Sequence, residues 1–210
     1  MLLYRMGRDD MKRVNVILAG GASRRFGEPK AFAKWKGGMF YEQAKKAFGC
    51  GETVIISRPE HIKKFLANKE RHVFSDVPQF RGMGPLAGIY TAMKQTEGET
   101  YTVISCDTPL VTRKTMAALE MKLTGNVDAV IPICENRAQP LLAVYHKRVQ
   151  EVLFDQLAQN KLKMADTLKH LSVCYVQAED IGAGPEEFVN INTRDDYARL
   201  LALIESSHQD

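Results

Sequence analysis

The sequence has little of what builds a zinc protein or a membrane protein. Its four cysteines, Cys50, Cys106, Cys134 and Cys174, form no C-x-x-C pair, and no histidine cluster accompanies them. A zinc site is therefore not expected, and the thiols are predicted to stay reduced. No apolar stretch has the length of about 20 residues that crosses a membrane, and the first residues lack the apolar core of a signal peptide. These absences predict a cytoplasmic protein with no membrane partner.

The chain also lacks a strong charge of one sign. Its 29 basic and 25 acidic residues give a formal net charge of +4. No run of like charges is long enough for a nucleic-acid-binding tail, so no nucleic-acid partner is expected. A small positive excess suits an anionic small-molecule substrate. The length of 210 residues suits one α/β domain, which we place at residues 11–207. Residues 1–10 are predicted to be a disordered extension, with Met11 as a candidate start.

Short apolar runs rich in β-branched residues alternate with helical patterns along the chain. Predicted strands cover Val14–Leu18, Thr53–Ser57, Tyr101–Cys106, Ala129–Ile133, Pro140–Tyr145 and Val173–Val176. Predicted helices cover Tyr41–Phe48, His61–Asn68, Leu86–Gln95, Lys114–Leu123, Arg148–Gln159, Met164–Leu171 and a last segment from Thr193 to about Ser206. This alternation predicts βαβ units. The expected fold is a three-layer α/β/α, Rossmann-like arrangement with a mostly parallel central sheet.

The loop after the first strand carries the strongest functional signal. The strand ends in Leu18-Ala19-Gly20-Gly21, and Arg24, Arg25 and Lys30 follow. Glycine lets the backbone approach a ligand closely, and successive exposed N–H groups form an anion-binding concavity. The loop is neither a Walker A motif nor G-x-G-x-x-G. It is either a plain glycine turn with solvated cations or, as we favour, a longer loop that wraps phosphates.

Two later segments carry further candidate residues. Asp107 follows a buried strand, and α/β sheets bind ligands beyond the carboxyl ends of their strands. One carboxylate there can hold Mg²⁺ against phosphates, although an aspartate can also cap the Asp-Thr-Pro turn. Asp76 and the glycines ahead of Pro85 either contact a base or sugar or form a surface loop.

Together these segments resemble the molybdenum cofactor guanylyltransferases, the MobA-like proteins among the nucleotidyltransferases of glycosyltransferase-A fold. The motifs that carry the resemblance are Leu18-Ala19-Gly20-Gly21, Arg25-Phe26-Gly27, Pro29-Lys30, Gly84-Pro85-Leu86-Ala87-Gly88, Cys106-Asp107-Thr108-Pro109, Gln139-Pro140-Leu141 and Asn190-Ile191-Asn192-Thr193. The first motif is shared with sugar and isoprenoid nucleotidyltransferases. The Gly-Pro-Leu-Ala-Gly loop and the late Asn-x-Asn are narrower signals.

The resemblance implies a reaction and a site. GMP would pass from GTP to the terminal phosphate of molybdenum-molybdopterin, and pyrophosphate would leave. The implied catalytic residues are Arg25, Lys30 and Asp107, with Mg²⁺ on Asp107. The implied nucleotide-binding residues are Leu18, Ala19, Gly20, Gly21, Lys30, Ser57, Asp76, Pro85, Leu86, Gly88 and Asp107. Asn190 and Asn192 are implied on the pterin side, and molybdoenzymes or cofactor-insertion proteins are implied as recipients of the product.

Two lysines extend this interpretation, and several positions depart from the family pattern. Lys161 and Lys163 either widen the anionic-substrate surface on the pterin side or form a solvated helix end. Pro29-Lys30 stands where the family often has Asp-Lys, and Ser57 where relatives often place asparagine. The last motif reads Asn-Thr-Arg rather than Asn-Thr-Pro, which we expect to change the helix start more than the site.

Three alternatives to the guanylyltransferase interpretation stay open. They are a molybdopterin cytidylyltransferase, a sugar-phosphate nucleotidyltransferase, and a GTP-binding carrier that delivers cofactor without chemistry. The combination of Leu-Ala-Gly-Gly and Pro-Leu-Ala-Gly favours guanine, and Asp107 with Lys30 argues against a pure carrier. The attacking phosphate is already anionic, so no histidine is expected to act as a general base.

Overall fold

The computed structural model describes residues 12–206, so the predicted extension at 1–10 and the candidate start Met11 lie outside the described residues. The described strands are β1 (Arg13–Ala19), β2 (Lys34–Trp35), β3 (Gly38–Met39), β4 (Glu52–Ser57), β5 (Val73–Phe74), β6 (Thr100–Ser105), β7 (Ala129–Cys134), β8 (Arg137–Ala138), β9 (Leu142–His146) and β10 (Val173–Gln177). The described α-helices are α1 (Phe40–Ala47), α2 (Pro59–Ala67), α3 (Pro85–Gln95), α4 (Arg113–Lys122), α5 (Val149–Ala158), α6 (Met164–Leu168) and α7 (Arg194–Ser206).

The central sheet is mostly parallel, as the sequence predicts. Its order is β10-β7-β9-β6-β1-β4-β5, with β8 paired to β7. Within this sheet, as described for residues 12–206, only β8 and β9 run antiparallel to their neighbours. Strands β2 and β3 form a separate antiparallel pair. In the register, Leu18 of β1 pairs with Ile56 of β4 on one side and with Ser105 of β6 on the other. The carboxyl ends of three parallel strands therefore meet at one edge of the sheet.

Helices cover both faces of the sheet and give the predicted three layers. Ile17 and Ala19 of β1 face one hydrophobic core, to which α1 and α4 contribute. Val16 and Leu18 face a second core, to which α3 and α5 contribute. Because β1 is buried on both faces, its second half is an unbroken apolar run, Val16–Ala19, rather than an alternating pattern.

Residues typical of helix starts stand at the beginnings of three helices. Pro85 is the first residue of α3, and the Thr112 side chain accepts a hydrogen bond from Thr115 N at the start of α4. The hydroxyl of Thr193 accepts from Asp196 N at 3.0 Å, which caps α7. The predicted helix at 164–171 is wrong in its end, because α6 stops at Leu168. Within residues 12–206, none of the helices combines the length and the apolar character that a membrane span requires.

Candidate nucleotide-binding cleft

A cleft of about 270 Å³ opens at the carboxyl ends of β1, β4 and β6. Its lining comes from those strand ends, from the loop before α3 and from the start of β9. The lining residues are Leu18, Gly20, Gly21, Ile56, Asp76, Gly82, Gly84, Pro85, Gly88, Ser105, Asp107 and Leu141. A smaller cavity of about 40 Å³ shares Leu18 and Asp107 with the cleft and includes Lys30. This is the edge where α/β sheets bind their ligands.

A lysine, an aspartate and an asparagine meet at the inner edge of this cleft. Lys30 Nζ lies 2.8 Å from Asp107 Oδ2 and 2.8 Å from Asn192 Oδ1, to which it donates. The second oxygen of Asp107, Oδ1, accepts from the Ser105 hydroxyl at 2.5 Å. Lys30 is only 8% exposed, and the two oxygen acceptors compensate its ammonium group for the loss of water. The arrangement places one cation and one carboxylate where β1 and β6 end, which suits a polyphosphate.

The loop from Gly20 to Pro29 positions Lys30 through its own backbone. Ser23 Oγ accepts from Lys30 N at 3.1 Å, and the Ser23 carbonyl accepts from Phe26 N and Gly27 N at 3.0 and 3.1 Å. Gly27 has φ +84°, a conformation that glycine adopts without strain. The loop therefore folds back on Ser23 and places Lys30, the first residue of a short 3-10 turn, at the smaller cavity beside the cleft.

The glycines of the cleft differ in the space that surrounds the missing side chain. A Cβ built on Gly20 or Gly21 meets no atom within 4 Å, and neither residue has a positive φ. The protein's own packing therefore does not require glycine there, and the space lies toward the cleft. In contrast, a Cβ on Gly88 would lie 2.9 Å from Leu18 Cδ2. A side chain at position 88 would therefore require Leu18 to shift where α3 packs on β1.

Asp76 contributes a second carboxylate to the lining of the cleft. Its Oδ2 accepts from Gly82 N at 3.0 Å, which ties together the two ends of the loop that precedes α3. Burial raises the pKa of Asp76 above its ordinary value of 3.8, while the Gly82 hydrogen bond and the charge of Arg81 act in the opposite direction. The cleft thus has two carboxylates in its lining, Asp76 and Asp107, and the second of these holds the Lys30 ammonium.

The structure brings only part of the predicted nucleotide set to the cleft. Pro85 and Gly88 line it, but Leu86 is fully buried in the core beneath α3. Ser57 is 3% exposed and pairs in register with Ala19, whereas its neighbour Ile56 lines the cleft. Successive side chains of a strand point to opposite faces, so Ile56 rather than Ser57 contributes to the lining.

Of the two asparagines predicted on the pterin side, only Asn192 is seen in contact with a predicted catalytic residue among residues 12–206. It contacts Lys30 directly, while Asn190 is exposed. Arg25 is exposed on the loop and is not part of the lining. Lys161 and Lys163 are exposed between α5 and α6, and they too lie outside the lining. These lysines are therefore not gathered with Lys30 and Asp107.

Ser105 and Leu141 line the cleft without having been predicted as site residues, although Leu141 belongs to the Gln139-Pro140-Leu141 motif. Ser105 precedes Asp107 by two residues at the end of a strand, and such residues share a face. That spacing was a usable signal for a hydroxyl that orients the carboxylate. Leu141 enters the cleft only because β9 inserts between β6 and β7, a pairing that no local pattern reveals.

The comparisons with known proteins agree with this geometry. Residues 15–173 match the model of the MobA-like NTP transferase domain. The chain belongs to the MobA-like NTP transferase family. A Bacillus velezensis protein of this kind, named "Probable molybdenum cofactor guanylyltransferase", is 88% identical over 95% of this chain and 100% of its own length. A Bacillus subtilis protein of the same name is 61% identical over 90% of this chain and 95% of its own length.

A solved structure extends the family match to three dimensions. Molybdopterin-guanine dinucleotide biosynthesis protein A from Archaeoglobus fulgidus superposes with a TM-score of 0.79 at 25% sequence identity. The match covers 92% of this chain and 99% of that one. Membership of the family makes this transferase an enzyme that handles nucleotides, with the fold of a nucleotidyltransferase and a cleft at the expected edge of its sheet.

Proposed function

We propose that this transferase moves GMP from GTP to the terminal phosphate of molybdenum-molybdopterin, which yields the guanine dinucleotide form of the cofactor and pyrophosphate. The observation that carries the proposal is the contact of Lys30 with Asp107 and Asn192 at the carboxyl ends of β1 and β6. It supplies a buried cation and a carboxylate beside a glycine-rich loop. The name of the relatives at 88% and 61% identity supports the choice of guanine and of the molybdenum cofactor.

In this proposal GTP lies along the cleft with its phosphates toward Lys30 and its base toward Asp76. The open space at Gly20 and Gly21 lets backbone N–H groups approach the phosphates. An oxygen of the acceptor phosphate attacks the α-phosphorus, a new P–O bond forms, and the bond to the β-phosphate breaks as pyrophosphate leaves. Positioning and charge neutralisation dominate such a transfer, and the Lys30 ammonium offsets charge on the leaving group.

The residues present fit a magnesium ion that arrives with the nucleotide. No cluster of three or more acidic, histidine or cysteine ligands exists among residues 12–206. Mg²⁺ is commonly held by one or two carboxylates together with substrate phosphates and water, so Asp107 suffices. When bound, the ion neutralises charge on the phosphates. Ser105 keeps the Asp107 carboxylate oriented toward the cleft through its 2.5 Å hydrogen bond.

No protein base or nucleophile is needed in this scheme. The acceptor phosphate is already an anion. Cys106 follows Ser105 at the cleft, but burial, and then the charge of Asp107, raise the pKa of its thiol to about 12. A neutral thiol is a poor nucleophile. The chemistry therefore rests on Lys30, Asp107 and the bound substrates.

Other residues enter the proposal with narrower roles. We propose that Leu18, Ala19, Pro85 and Gly88 shape the nucleotide site, and that exposed Asn190 contacts the pterin. We propose further that the exposed Arg25 contacts the nucleotide phosphates, and that the exposed Lys161 and Lys163 extend the anionic-substrate surface on the pterin side. Leu86 and Ser57, both buried, would support the nucleotide site through packing. Molybdoenzymes or cofactor-insertion proteins would receive the product. The single domain at 11–207 is supported by α7, which packs back on the loop after β1.

Calorimetric titration with GTP, CTP, ATP and UTP in Mg²⁺ tests the proposal. GTP is expected to bind at least about tenfold more tightly than the other three. Asp107→Asn, which keeps the shape but removes the charge, should weaken binding of magnesium-GTP and lower kcat by about a hundredfold or more. Preference for CTP would favour a cytidylyltransferase, and preference for UTP or ATP would favour sugar activation. An unchanged kcat in the variant would refute the role of Asp107.

A further inference from the structure

Arg194, the first residue of α7, reaches back to the loop that follows β1. Its Nε donates to the Phe26 carbonyl at 3.0 Å. Its guanidinium carbon lies 5.7 Å from the centroid of the Phe26 ring, and its terminal nitrogen is 3.5 Å from Glu28 Oε1. An arginine can stack on an aromatic face and donate in plane at the same time, which a lysine cannot reproduce. Arg194 was expected to change the helix start more than the site, and these contacts add a link to the loop after β1.

The same helix holds the tip of the loop on its other side. Phe26 is fully buried, with its ring centroid 5.6 Å from that of Tyr197 and 6.4 Å from that of Phe40. The Tyr197 hydroxyl donates to the Lys34 carbonyl at 2.5 Å. Because Lys30 lies between Phe26 and Lys34, α7 holds the chain on both sides of the lysine.

The residues just before Arg194 hold the Lys30 side chain itself. Asn192 Oδ1 accepts from Lys30 Nζ at 2.8 Å. This asparagine is fixed in turn, because Asp196 Oδ2 accepts from Asn192 N at 3.0 Å and from Thr193 N at 2.8 Å. One rigid helix start therefore carries a contact to the lysine and, two residues later, a contact to the loop that presents it.

We propose that Arg194 is a positioning residue that holds the loop from Gly20 to Pro29 closed on the phosphate side of the cleft. It touches neither the cleft lining nor the reacting groups. Its effect is preorganisation: the loop that contributes Gly20 and Gly21 is already in place before the nucleotide binds, so less ordering entropy is lost on binding. The inference rests on the proposed function for its nucleotide part and on the contacts alone for its loop part.

Two exposed arginines in the loop provide a direct readout of its closure. Trypsin cleaves after arginine when the local backbone can open, and Arg24 and Arg25 are both exposed on the loop. We compare Arg194→Ala and Arg194→Lys with Arg199→Ala, which removes an exposed arginine further along the same helix. Loss of a hydrogen bond from a charged donor should accelerate cleavage after Arg24 and Arg25 by about tenfold without ligand.

The nucleotide part is read by the dissociation constant of magnesium-GTP. Arg194→Ala should weaken binding by about five- to tenfold, Arg194→Lys should fall between it and the unmodified chain, and Arg199→Ala should stay within about twofold. Urea unfolding of each variant measures general destabilisation, which would speed cleavage at all sites. Opening of the loop alone would speed cleavage only after Arg24 and Arg25.

Each result decides between a positioning role and its absence. Equal loop cleavage in Arg194→Ala and Arg199→Ala would overturn the proposal that Arg194 holds the loop. Faster loop cleavage with unchanged magnesium-GTP binding would overturn the link to the nucleotide site. If the unmodified chain binds no nucleotide, the proposed function fails, while the ligand-free cleavage experiment still decides whether Arg194 holds the loop.

Discussion

The ion pair between Lys30 and Asp107 should be strongly coupled in the resting protein. Its nitrogen and oxygen are 2.8 Å apart, with side-chain exposures of 9% and 17%. At an effective dielectric constant of about 20, two unit charges at that distance attract by about 6 kcal/mol. Desolvation of both charges offsets much of this attraction. A net coupling of about 1.5–3 kcal/mol remains, as for hydrogen bonds between charged groups.

A double-mutant cycle with Lys30→Met and Asp107→Asn measures this coupling through urea unfolding. The matched control is the Lys45–Glu70 pair, which has a similar distance of 2.7 Å but a lysine that is 44% exposed. Glu70 is 15% exposed, close to the 17% of Asp107, so the two pairs differ chiefly in the exposure of the lysine. The control coupling, from Lys45→Met and Glu70→Gln, should be about 0.5–1 kcal/mol, because solvent screens the exposed ammonium. Equal coupling energies in the two cycles would refute the conclusion that the cleft desolvates Lys30 and Asp107.

Three further predictions follow from packing and burial. Gly88→Val should destabilise the fold by about 1–3 kcal/mol in urea unfolding, since a Cβ there would lie 2.9 Å from Leu18 Cδ2; unchanged stability would contradict the tight approach. Because the folded pKa of Asp76 is raised, the native state binds the extra proton, and stability should rise as pH falls from that raised pKa toward 3.8. Asp76→Asn should remove this gain, and an identical pH profile in both proteins would rule it out. Glu187→Ala should cost about 2–3 kcal/mol of unfolding free energy, because its carboxylate is 7% exposed and accepts from Thr112 N at 2.8 Å; Glu186→Ala, at an exposed neighbour, is the control and should change little.

Much of the fold could be predicted because burial on both faces leaves a direct mark in the sequence. The runs that form β1, β4, β6 and β7 are short, apolar and β-branched, and each is confirmed within two residues. Asp107 and Lys30 could be placed at the carboxyl edge of the sheet from the positions of those runs. The predicted contact between helices and both sheet faces followed from the same alternation.

The antiparallel strand β9 shows a signal that was available but unused. Only residues 135–141 separate β7 from β9. A parallel connection needs a crossover of about a dozen residues or more, so this short link requires antiparallel pairing. The insertion of β9 between β6 and β7, in contrast, depends on packing across the whole sheet.

Long-range side-chain contacts could not be predicted from spacing. Asn192 and Lys30 are 162 residues apart, and Arg194 and Phe26 are 168 apart. Nothing local in the Asn-Thr-Arg segment specifies that its helix returns to the first loop. The exchange of Ser57 for Ile56 in the lining is a smaller case, because it depends on which face of β4 points to the cleft.

The most direct test of the proposed reaction is product formation in a single vessel. The full chain is incubated with magnesium, molybdenum-molybdopterin and either GTP or CTP, and both the dinucleotide product and pyrophosphate are quantified. The proposed reaction should give the guanine dinucleotide and pyrophosphate in equal amounts from GTP, little product from CTP, and neither product in Asp107→Asn. No dinucleotide from GTP, or full activity in Asp107→Asn, would contradict it.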